Sequence, residues 1–135
     1  MGDAKPKKPT PLMGVGMPQA LLLEWFGKLV YDAFGDWPYL VGTAATGKAW
    51  RDVDVRLLLP LEEYRRCCGE PKTPSDLNLR WTSLCLAYSV LGQHITGLPI
   101  DFQIQEVEEA NRLFPGGVRH PLIAYGNWTG GASGG

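Results

Sequence analysis

Arg51 to Leu59 reads RDVDVRLLL, and the fold turns on this stretch. Polar and apolar residues alternate up to Arg56 before the segment ends in Leu57, Leu58 and Leu59, the pattern of a strand running from a wetted face into a core. Period two sends Val53 and Val55 inward and sets Asp52 and Asp54 on one outer face, their Cα atoms ~6.6 Å apart. Aspartate is depleted in strands, so two of them at strand centre ask for a reason beyond solvation.

The flanks supply the rest of a layered domain. Upstream, Pro18 is placed to open a helix over 18–34, with Leu22, Trp25, Phe26, Leu29, Val30 and Phe34 at helical spacing and Gly35 to stop it. Tyr39 to Val41 reads as a short strand, and Thr43 to Trp50 as a turn. Downstream of Pro60, Leu61 to Cys68 reads as a short helix and 69–74 as a loop. Ser75 is a plausible N-cap for a long helix carrying Leu77, Trp81, Leu84, Cys85, Tyr88 and Leu91 on its apolar face. Ile100, Phe102 and Ile104 then alternate with Asp101, Gln103 and Gln105, which is a second strand with one polar face. A helix over Glu106 to Phe114 follows, stopped by Pro115 and two glycines. The expected class is α/β of the α+β type, a small mixed sheet backed by helices.

The chain as a whole limits what such a domain can be. Its 135 residues suit one domain, expected over 18–128, between a mobile Pro- and Lys-rich arm at 1–17 and a Gly-rich tail at 129–135. A formal charge of −1 gives no broad positive field for a nucleic-acid backbone, so contact with RNA would be local. Three cysteines, two of them adjacent, fit neither a disulfide framework nor zinc spacing, which points to a reducing, cytoplasmic setting. The N-terminus lacks a signal-peptide core and no apolar run approaches bilayer length, so no membrane role is expected.

The acids carry the chemistry. Magnesium or manganese prefers oxygen ligands and is commonly held by a few carboxylates together with phosphate oxygens. If the strand of Asp101 lies beside that of Asp52 and Asp54, three acids face one spot, and such a site performs phosphoryl transfer.

At Gly42 to Val55, GTAATGKAWRDVDV, and at 98–104, LPIDFQI, the chain resembles the nucleotidyltransferase superfamily of DNA-polymerase-β-like proteins. The likeness rests on Gly followed by a hydroxyl residue, a small turn, Asp-x-Asp framed by apolar residues, and a later strand with a third acid. It implies the nucleotidyltransferase fold. It also implies that Gly42 lets backbone approach a triphosphate, that Thr43 contacts phosphate, and that Asp52, Asp54 and Asp101 bind Mg²⁺ or Mn²⁺ as the catalytic trio. Lys48, Arg51 and Arg56 would add positive charge for a nucleoside triphosphate such as ATP. The expected activity is transfer of a nucleoside monophosphate to an acceptor hydroxyl on a small molecule, RNA or protein. A core this small leaves the acceptor surface to a second copy or a partner protein.

Two departures stand in the motif. The position of the motif's serine is taken by Thr43, and Thr46 stands where many members have arginine. Arg56 shares a face with Asp54 and could pair with it, so a non-catalytic binding module is the rival expectation, and a metal-dependent phosphohydrolase another. Trp25, Trp81 and Tyr88 are read as core, while Trp37, Tyr125 and Trp128 are candidates for stacking on a base. His94 and His120 have no nucleophile pattern near them.

Overall fold

A computed structural model describes residues 15–46, 51–71 and 78–123. Most of the expected arm, Gly47, Lys48, Ser75, Leu77, Tyr125, Trp128 and the expected tail lie outside the described residues.

The elements run α1 (Gln19–Phe34), β1 (Tyr39–Val41), α2 (Thr43–Thr46), β2 (Val53–Leu59), α3 (Leu61–Cys68), α4 (Leu79–Thr96), β3 (Ile100–Glu106), α5 (Val107–Leu113) and β4 (His120–Pro121). Their strands form one mixed sheet in the order β3-β2-β1-β4, in which β2 and β3 are parallel and the other pairs antiparallel. The class is mixed α/β, a four-stranded sheet backed by helices.

Burial alternates strictly along β2 and β3. Val53, Val55, Leu57 and Leu59 join Ile100, Phe102 and Ile104 in the core, and α1 and α4 cover that face. Phe26 of α1 and Phe102 meet edge to face with ring centroids 6.0 Å apart, and Tyr88 of α4 tilts against Phe102 at 5.4 Å. Val15, which falls inside the expected arm, is buried in this core. Trp25, expected in the core, is 45% exposed, because the buried stripe of α1 runs through Ala20, Leu23, Phe26, Gly27 and Val30 and leaves Trp25 beside it.

The long helix also closes the sheet's edge. β3 is an outer strand, whose free backbone groups would invite another strand. A stripe of α4 spaced by four residues satisfies them. Trp81 Nε1 donates to the Ile104 carbonyl at 2.7 Å, and the Ile104 amide donates to Cys85 Sγ at 3.5 Å. Ser89 Oγ accepts from the Phe102 amide at 2.8 Å, and Gln93 Nε2 donates to the Ile100 carbonyl at 3.0 Å. α4 is capped by Asn78, whose side chain accepts from the Trp81 amide. α5 is capped by the Glu106 carboxylate, which takes the amides of Glu108 and Glu109.

Thr43 to Thr46, expected as part of a turn, is a single helical turn. Ala44 and Ala45 favour helix and are buried, while Thr46 Oγ1 bonds back to the Thr43 carbonyl at 2.9 Å.

Candidate functional site

The face of the sheet away from α1 and α4 carries Asp54, Arg56 and Leu58 from β2 beside Asp101, Gln103 and Gln105 from β3. Parallel register pairs them row by row: Asp54 with Asp101, Arg56 with Gln103, Leu58 with Gln105. On the other side of β2, Val41 pairs with Asp54, so the β1 strand delivers Gly42 and Thr43 to the row of the acids.

Gly42 has a φ of 76°, the left-handed region, and a Cβ there would stand 2.6 Å from Asp54 Oδ2. The backbone therefore passes directly over the carboxylate. A cavity of about 540 Å³ opens at this point, lined at one end by Gly42, Thr43, Thr46 and Asp54, and at the other by Leu58, Gln103, Gln105 and Phe114. Val118 and Arg119, from the segment joining α5 to β4, complete its rim. That segment is tied down where His120 Nε2 donates to the Ala45 carbonyl at 2.9 Å and Arg119 donates to Asn111 at 2.8 Å.

Burial pushes the Asp54 carboxyl above its ordinary value; the Arg56 guanidinium opposes this, and the Asp101 and Asp52 charges add to it. Two neighbouring carboxylates in a partly dry site are short of positive charge. Arg56 supplies some: its Nη2 lies 3.8 Å from Asp54 and 3.5 Å from Asp101. Its hydrogen bonds go elsewhere, from Nη1 to the Asp101 carbonyl at 2.7 Å and the Val55 carbonyl at 3.1 Å. The guanidinium thus lies against both carboxylates without a direct hydrogen bond to either among the described residues.

The sequence-derived set divides accordingly. Gly42, Thr43, Asp54 and Arg56 meet in the cavity, and Asp101 adjoins Asp54 one strand over. Asp52 sits in the bend before β2, exposed, and reaches the site through its charge on Asp54 rather than through the cavity wall. Arg51 is exposed in the same bend and outside the lining, and Lys48 lies outside the described residues. Among the described residues no three His, Cys, Asp or Glu side chains converge on one metal position. The donor chemistry of Asp54 and Asp101 still fits a hard divalent cation that completes its shell with phosphate oxygens and water. Sequence reasoning missed Phe114, Val118 and Arg119, which no local pattern marks, since the loop carrying them meets the sheet only through the fold.

No protein-family model, curated protein or solved structure matches the chain. Among the described residues no helix is long and apolar enough to cross a membrane.

Proposed function

We propose that the chain binds a nucleoside triphosphate with a divalent cation and transfers its nucleoside monophosphate to an acceptor hydroxyl. The observation that supports this best is the pairing of Asp54 with Asp101 in the row that Gly42 and Thr43 also reach. Phosphates would lie beside Gly42, whose missing side chain lets the backbone and the Asp54 carboxylate meet at one point, with the Thr43 hydroxyl in reach. Asp54 and Asp101 would hold Mg²⁺ or Mn²⁺, which when bound neutralises phosphate charge and lowers the pKa of an attacking hydroxyl. The protein's own share is to orient the triphosphate and to present carboxylates that accept the acceptor's proton as pyrophosphate leaves.

Arg56 decides how readily the site works. Its contacts with the two carboxylates are long, 3.5 and 3.8 Å, and involve no hydrogen bond, so a divalent cation arriving with a polyphosphate would take its place against the acids. Released from the acids, Arg56 is placed to grip phosphate.

The same arginine favours a second reading, a nucleotide-binding module without transfer activity in which Arg56 replaces the cation. Incubation with labelled triphosphate, Mg²⁺ and a panel of hydroxyl acceptors separates the two. Transfer with pyrophosphate release, lost in Asp54→Asn and Asp101→Asn, supports the enzyme. Binding without pyrophosphate release supports the module, and no binding removes both.

A further inference from the structure

The cavity extends beyond what phosphates require. Its far end is floored by Leu58 with Gln105 beside it in register, Gln103 stands one row nearer the acids beside Arg56, and Phe114 also lines the cavity. Leu58 lies four residues along β2 from Asp54, a separation of ~13 Å in a strand, comparable with the reach from a triphosphate across a ribose to a base.

This end combines apolar side chains with amides that no other protein group uses among the described residues. Both glutamines are half-buried, and among the described residues neither side chain makes a hydrogen bond. Each amide has two donors and an acceptor that no protein group engages among the described residues, so both are available to a ligand. Phe114, 55% exposed, offers a ring at the mouth without being used by the core. A planar heterocycle with donors and acceptors on its edge meets both conditions, since its face packs on Phe114 and Leu58 while its edge reaches the amides.

The geometry points to this end of the cavity as a nucleobase subsite, in which Gln103 and Gln105 read the base edge and Phe114 stacks on its face. The assignment rests on the triphosphate reading and adds which part of the ligand goes where. The base lies over the C-terminal half of β2, and selectivity among nucleotides comes from two amides on β3. A phosphate-only ligand leaves this end empty.

The test is calorimetric titration of the full chain with Mn²⁺ and, in turn, four non-hydrolysable nucleoside triphosphates and inorganic tripolyphosphate. At least one nucleotide should bind ten-fold or more tighter than tripolyphosphate, and the four should differ from one another. Gln103→Ala with Gln105→Ala should compress the ranking toward the tripolyphosphate value, and Phe114→Ala should weaken every nucleotide alike; thermal melts check that each variant is folded. Tripolyphosphate binding as tightly as every nucleotide overturns the subsite while leaving the triphosphate reading intact. An unchanged ranking in a folded double-glutamine variant overturns it as well. Failure of every ligand, tripolyphosphate included, overturns both.

Discussion

A side chain at Gly42 and the carboxylate of Asp54 compete for the same space: the first carbon of any substituent would stand 2.6 Å from Oδ2. Gly42→Ala therefore carries two penalties, the left-handed φ of 76° at about 1–2 kcal/mol and displacement of the acid. Thermal melting should show a drop of several degrees, and titration should show triphosphate affinity lost. Gly16→Ala, where a Cβ meets nothing within 4 Å, is the control and should melt within about one degree of the parent.

Removing Arg56 tests its standing as a substitute cation. Arg56→Met leaves the carbonyls of Val55 and Asp101 without that donor and two carboxylates with less compensation, so the metal-free protein should lose about 1–3 kcal/mol in urea denaturation. Mn²⁺ alone should then bind more tightly, because nothing has to be displaced. Triphosphate affinity should fall if the guanidinium also grips phosphate.

The raised pKa of Asp54 has a sign that can be measured. The folded state holds the proton more firmly than the unfolded chain, whose carboxyl titrates near 3.8. Stability from this group is therefore present at low pH and is lost as pH rises from 3.8 through the higher folded value. In metal-free buffer, Asp54→Asn should remove that decline, and its melting point should match or exceed the parent's at neutral pH. The substitution should at the same time abolish metal-dependent binding.

The edge of the sheet gives a change in stability that spares the site. Ser89→Ala takes away the acceptor for the Phe102 amide, and an unsatisfied buried donor costs about 1–3 kcal/mol. Chemical denaturation should register that loss, while nucleotide titration of the folded variant should give the parent's affinity.

The sequence carries much of this architecture in its periodicity. Alternation in RDVDVRLLL and IDFQI sets the strands and their inner faces, and Gly35 ends α1 as expected. Relations between distant segments were harder to read. Ser89 and Gln93 look like surface polar residues until β3 lies beside them, so the edge-sealing stripe of α4 has no local signature. The apolar face of α1 is broad enough in sequence to include Trp25, and only the position of the sheet decides that it stays out. The strand begins at Val53, one residue after Asp52, and that offset separates one acid of the trio from the other two. Arg56 was legible as a neighbour of Asp54 from period two, but its reach to Asp101 required the parallel register.

The most direct measurement is a crystal soaked with Mn²⁺ and a non-hydrolysable nucleoside triphosphate, read by anomalous scattering at the manganese edge. The expected map shows a peak liganded by Asp54 and Asp101, phosphate density over Gly42 and Thr43, and the Arg56 guanidinium turned from the acids toward phosphate. An anomalous map empty at the two aspartates, with Arg56 still lying against both and no phosphate at Gly42, would contradict the account.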